Sequence, residues 1–383
     1  MTTRFVIHTA TAAALAFAAA TALQAQSVTL PPDGNNPKAS ASLSIGLVEV
    51  SIAYNSPKVT APDGTDRKGK IWGQLVPYGM ANLGFGTCGD QCPWRAGANE
   101  NTVFSVSRDV KIEGQPLPAG SYGLFMIPGQ DEWTIIFSKN STSWGSFFYD
   151  SAEDQLRVKV KPVASEYHHW LTYEFTDRGL DKATAALEWE LLAVPWTITV
   201  DDAVGLYVEN LRRELRTSPG FTWQGWEQAA RFCFDRKTNL KEGLTWAQAA
   251  VSRQFVGQEN FTTLRTLSDL QAANGLAADA EKTDQKALEH PTAGVMDLHA
   301  YGRQLIAQGE KEKALKVFEM NARRHPNVWP VNVGLARGYA AVGRTQDALK
   351  AAKAALAQAP DDVNKRSLTT MLQDLEAAAK AGK

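Results

Sequence analysis

Cysteine is nearly missing from this chain, with three residues in 383. That excludes a small fold stapled together by disulfides. An excess of one charge is missing too. Forty Lys and Arg stand against 41 Asp and Glu, for a net charge of −1, so a general nucleic-acid binder with a basic surface is excluded. Past the N-terminus no apolar run reaches the length of a membrane span, and no integral membrane segment is expected once the leader is cut. The usual catalytic signatures are absent as well: no HExxH, no GxSxG, no GxxxxGKS/T and no GxGxxG after a strand. This lowers the expectation of an enzyme and leaves a hydrolase with dispersed residues as a second alternative.

What is present begins with an export pattern. Arg4 and the amino terminus precede an Ala-rich apolar stretch over 9–23, and Leu23-Gln24-Ala25 offers a cleavage point. This layout predicts a signal peptide over 1–25, hence a periplasmic or secreted protein, followed by a flexible linker over 26–40. No cofactor is expected.

Two hydrophobic periods follow. From about 41 to 200 apolar residues alternate, as in Val48, Val50, Ile52 and Tyr54, in Trp133, Ile135 and Phe137, and in Val194, Trp196, Ile198 and Val200. Short alternating strands between turns such as Pro62-Asp63-Gly64 predict an antiparallel β-sandwich over 41–200. Leu43, Ile45 and Leu47 run in the opposite phase to Val48, which predicts a bulge or register break near Leu47-Val48. At Asp201-Asp202 the period becomes helical, with Val204, Tyr207, Leu211 and Leu215 on one face. Helical hairpins are expected over 201–260.

Residues 261–383 contain a repeat. Gly309, Ala314, Phe318 and Pro326 match Gly343, Ala348, Ala352 and Pro360 at a spacing of 34, and Gly275 with Ala280 extends the register upstream. Glycine turns the chain between two helices, and a small residue lets the pair approach closely. This wording resembles tetratricopeptide (TPR) repeats, which implies an array of stacked helical hairpins whose concave face holds a protein or peptide partner. The fold class is therefore multidomain, all-β followed by all-α.

The β half carries unusual wording: SPK at 56–58, GKIWGQLVPYG at 69–79, PWRAGANEN at 93–101, DVKIEGQPLPAGSYGLFMIPG at 109–129, EWTIIFSKN at 132–140 and WGSFFYD at 144–150. Together these resemble a bacterial family catalogued as domain of unknown function 2911. The resemblance implies an exported β-domain and no established activity. One departure is the segment MANLGFGTCGDQC at 80–92, inserted where a short connection is expected, so that a site near it is reshaped.

Candidate functional residues cluster beside that insert. Arg95, Asn99 and Glu100 offer a guanidinium fork, an amide and a carboxylate, and Trp94 a stacking face, together suited to a polyhydroxylated or carboxylated ligand such as a glycan-type envelope ligand. The alternative is an internal network in which Arg95 pairs with Glu100. Arg67 and Lys70 can add positive charge to the same site, and Trp144, flanked by Ser143 and Gly145, is a second surface indole. His168 and His169 are adjacent and point to opposite strand faces, so no metal site is expected from them. Cys88 and Cys92, four apart in a Gly-rich loop of an exported chain, are expected to form a disulfide.

Overall fold

The computed structural model describes residues 36–381. The expected signal peptide and residues 26–35 of the expected linker lie outside them. The rest of that linker is partly structured, because the first strand already begins at Lys38.

The chain divides into two compact units between Ala203 and Val204. The first is built of two antiparallel sheets. Six strands, β1 (Lys38–Ile45), β2 (Val48–Asn55), β3 (Val103–Val106), β6 (Gly120–Ile127), β7 (Trp133–Ser138) and β8 (Asp154–Val160), pair in the order β1-β2-β3-β6-β7-β8. Four more, β4 (Val110–Ile112), β5 (Gln115–Leu117), β9 (Val163–Thr176) and β10 (Lys182–Thr199), pair as β5-β4-β10-β9. The inward residues of the alternating strands make the core. Ile52, Phe104 and Phe137 come from the larger sheet, and Ile112, Leu187 and Trp196 from the smaller. Tyr54 of β2 and Tyr173 of β9 meet edge to face at 4.8 Å across the two sheets.

The phase change near Leu47 is not a bulge. Ile45 pairs with Val48, and Gly46 and Leu47 form a two-residue hairpin turn with Gly46 at φ 57°. A tight hairpin reverses the chain, so the buried face resumes on the returning strand and the two phases read as a slip. Register shifts lie elsewhere: in β10 on both sides of Glu190, which sits at φ 58°, and in β7 between Phe137 and Ser138.

The second unit contains ten helices among the described residues: α1 (Ala203–Glu214), α2 (Trp223–Asp235), α3 (Leu240–Ser252), α4 (Phe261–Ala273), α5 (Ala277–Glu289), α6 (Val295–Ala307), α7 (Lys311–Arg324), α8 (Trp329–Ala341), α9 (Thr345–Ala357) and α10 (Asp362–Ala381). From α4 onward the pairs start 34 residues apart, at Phe261, Val295 and Trp329 for the first helices and at Ala277, Lys311 and Thr345 for the second. Gly275, Gly309 and Gly343 take φ 80°, 85° and 78° with open space where a Cβ would stand, so they are required for the backbone turn alone. Packing needs other glycines. A Cβ on Gly302, Gly334 or Gly338 would fall within 2.8 Å of the Phe318 ring, which these three bare positions admit to the core. Ala314 and Ala348 are fully buried, as the close approach of two helices requires.

An ionic cluster ties the first hairpins. Arg265 reaches both Asp284, in a short contact, and Asp269 at 2.7 Å, while Lys313 and the Tyr301 hydroxyl bond the second Asp284 oxygen at 2.7 and 2.9 Å. Asp284 is buried, and its charge is compensated from α4, α6 and α7 together.

Candidate functional site

The β unit holds a cleft of about 380 Å³ whose walls come from separate loops. Two tryptophans, Trp94 and Trp189, line it. Trp72 sits edge to face against Trp94, Trp133 and Trp189 at 5.8, 5.1 and 5.7 Å. Trp94 is held in place by a two-way backbone bridge to Met126. Leu83 and Cys92, both from the 80–92 insert, form one side. The insert is closed at its base by Ala81 and Cys92, which exchange backbone hydrogen bonds of 3.0 and 3.1 Å, and by the Cys88–Cys92 disulfide, with Cα atoms 5.2 Å apart. Gly86 passes against the carbonyl of Phe147, where a Cβ would lie 2.0 Å from its oxygen.

Arg95 lies in this cleft over bare backbone. A Cβ on Gly145, itself at φ 64°, would stand 2.6 Å from its Nη1. The guanidinium covers the rings of Trp144 at 5.3 Å and Phe147 at 5.2 Å, which themselves stack nearly parallel. Its Nη1 donates to the Asn99 carbonyl at 2.7 Å. No carboxylate is within ion-pair reach of it among the described residues, and burial holds its pKa below the ordinary guanidinium value. Arg67 also lines the cleft and is anchored by donating to the carbonyls of Val59 and Lys58 at 3.1 and 2.7 Å.

The other singled-out residues separate. Asn99 lines the cleft at φ 55° and accepts from Asn36 at 3.1 Å. Glu100 does not pair with Arg95. It meets Lys38 at 3.1 Å, and hydrogen bonds from its own backbone N–H and from that lysine hold its carboxyl below the usual range. The reason is the loop's shape: Ala96 and Asn99 take positive φ, and Ala96 O is gripped by Tyr173 and Thr102, which turns Glu100 away toward β1. Lys70 is exposed and is no part of the lining. Trp144 is 53% exposed, yet one side of its indole is taken up by Phe147. The cleft thus loses the carboxylate acceptor on which a glycan-type reading depended. Ser146 is the one hydroxyl of its lining, and no histidine or carboxylate lines the cleft with it among the described residues. His168 bonds Glu188 at 3.1 Å and His169 meets Tyr167, and no group of three metal-ligating side chains occurs among the described residues.

The helical unit has its own recess, of about 210 Å³, lined by one face each of α6, α8 and α10. Arg303 and Arg337 occupy equivalent positions of consecutive first helices and both line it, beside His299, Trp329 and Asn364. No acidic residue lines it among the described residues. Arg337 is half-buried, its Nε has no partner, and burial together with Arg303 depresses its pKa. His299 is 8% exposed; burial first, then Arg337, hold it toward the neutral form, and its Nδ1 lacks a partner. The 34-residue spacing of the two arginines is the sequence signal for this site. The small residues that dominate the same register obscure it.

Residues 36–198 match the model of a family described as "Protein of unknown function (DUF2911)". The match takes in the β unit and stops before the helices. No curated protein matches the chain. Solved structures similar to it include YrrB, described as a TPR protein with an unusual peptide-binding site, at 16% identity and TM-score 0.29 over 44% of this chain and 84% of that one. A tetratricopeptide repeat protein from Parabacteroides merdae is 17% identical at TM-score 0.31, covering 47% and 70%. A thermophilic TPR protein of Thermus thermophilus is 17% identical at TM-score 0.31, covering 45% and 91%. The helical-hairpin assignment rests on the 34-residue helix spacing of this chain itself.

Proposed function

We propose that this is an exported binding protein whose helical unit holds an acidic segment of a partner protein across α6, α8 and α10. The observation that carries the reading is the pair Arg303 and Arg337, repeated one register apart in a recess without a lining acid among the described residues. A half-buried guanidinium with an unpaired Nε is costly until an anion meets it, so carboxylates of a partner offset that cost on binding. Stacked hairpins supply the extended surface that such a segment needs. Export is supported by the N-terminal pattern of residues 1–25 and by the Cys88–Cys92 disulfide, which suits an oxidising compartment.

The test is fluorescence anisotropy of the full chain with a labelled peptide rich in Asp and Glu, against its Lys-substituted counterpart. The acidic peptide should bind and the basic one should not. Arg303→Glu with Arg337→Glu should weaken binding by about a hundredfold, two charge-assisted contacts at roughly tenfold each. Equal binding of both peptides, or an unaffected double variant, refutes the proposal.

A further inference from the structure

The β-unit cleft has features that the proposed function of the helices leaves unused. Its lining joins two guanidinium groups to prolines, leucines and indoles, and contains no carboxylate among the described residues. Arg95 carries five N–H donors, of which one meets a protein acceptor among the described residues. The rings of Trp144 and Phe147 lie against its guanidinium, and Gly145, with no Cβ, leaves the space in which it sits. The side chain is thus fixed, partly desolvated and short of an anion. The Nε1 of Trp189, a fully buried residue that lines the cleft, also has no acceptor.

Two of the lining residues, Leu75 and Leu83, are exposed apolar side chains. Phe85, two residues along the insert from Leu83, is 68% exposed and packs edge to face against Phe147 and Phe148. A cleft of this volume, with a largely apolar lining and, in Arg95, one guanidinium with only a single donor spent on the protein among the described residues, suits a small amphipathic ligand more than a polyol. From these contacts we infer that the cleft binds an organic monocarboxylate with a flat or aliphatic apolar body. Its carboxylate meets the free edge of Arg95, and its body lies between Leu83 and Trp94. A planar fork matches two carboxylate oxygens. A phosphate asks for more donors, and Arg67 already spends two of its own on backbone carbonyls.

Isothermal titration of the full chain with 2-naphthoate, 2-naphthamide, acetate and 2-naphthyl phosphate separates the terms. Naphthoate should bind at least about tenfold more tightly than the amide, since a charge-assisted pair is at stake, and acetate should not saturate. Arg95→Met should abolish the preference of acid over amide, and Arg95→Lys should restore part of it. Leu83→Glu, on the exposed rim, should weaken naphthoate in a variant whose fold does not depend on Arg95. Equal affinity for acid and amide, no saturable binding by any probe, or tighter binding of the phosphate overturns the inference. So does an Arg95→Met protein that keeps the preference, or, should that variant unfold, a Leu83→Glu protein that binds naphthoate undiminished. Binding of the acidic peptide to the helices is read in parallel, so that failure at one recess is distinct from failure at the other.

Discussion

The β unit and the helical unit each carry a recess with arginine and no acid in its described lining, yet they are assembled by opposite means. The cleft draws on loops and on Trp189 of β10, and its shape depends on single positions: Gly86, Gly145, Ala96 and Asn99 each take a backbone or an approach that few residues allow. The groove draws on one helix face used three times, and its shape follows from a repeat. Irregular backbone fixes one side chain in one pose. Periodic backbone offers a row of equivalent positions. The first suits a small rigid ligand and the second an extended one.

The two units should differ most in stability. Asp284→Ala leaves Arg265 with Asp269 alone, takes the buried partner from Lys313, and should cost the helical unit about 3 kcal/mol. In a thermal melt of the full chain the helical signal should fall sharply while the β signal near its own transition is unchanged. A single transition shifted as a whole would show that the two units fold as one.

A smaller effect is expected on the other side. Gly145→Ala places a side chain at positive φ and against the Arg95 guanidinium, costing about 1–2 kcal/mol from the backbone alone. It should also reduce carboxylate binding in the cleft and leave peptide binding by the helices untouched. Wild-type stability in this variant would show that Arg95 is not held against that backbone.

The smallest effect is a pH dependence of the helical unit. The folded state holds His299 below its ordinary value of 6.5, so the unfolded chain takes up the proton first. Stability is therefore full above about pH 6.5 and declines as pH falls through the depressed folded value. An acidic partner opposes the repulsion from Arg303 and Arg337 and favours protonated His299, so peptide binding should tighten over the same fall in pH. His299→Gln should flatten both trends. A melt that is level between about pH 8 and pH 5 would remove His299 from the argument.

Much of the architecture was legible in the residues. Alternation in β2, β7 and β10 marked strands whose inward faces are buried, and the phase of Trp133 and Trp196 puts both in the core. The 34-residue spacing marked the helical hairpins. Where local pattern misled, the cause was geometric. A hairpin turn at Gly46 and Leu47 and a bulge at Glu190 both disturb a period of two, and the pattern alone does not tell them apart.

The order of residues dictates which segments bury a face, because burial obeys a period that hydrophobicity records. It also determined that Trp94, Arg95, Asn99 and Glu100 lie close along the chain. Tertiary structure alone decided that Arg95 and Arg67 share a cleft while Glu100 turns to Lys38 and Lys70 to solvent. It also decided that Phe318 fills the space left by glycines of two other helices. These outcomes depend on the direction in which a strained loop points its side chains and on what distant segments bring alongside. Direction and distance across the fold are set by the closed set of backbone hydrogen bonds and packed surfaces, and a linear pattern of polar and apolar residues does not encode them.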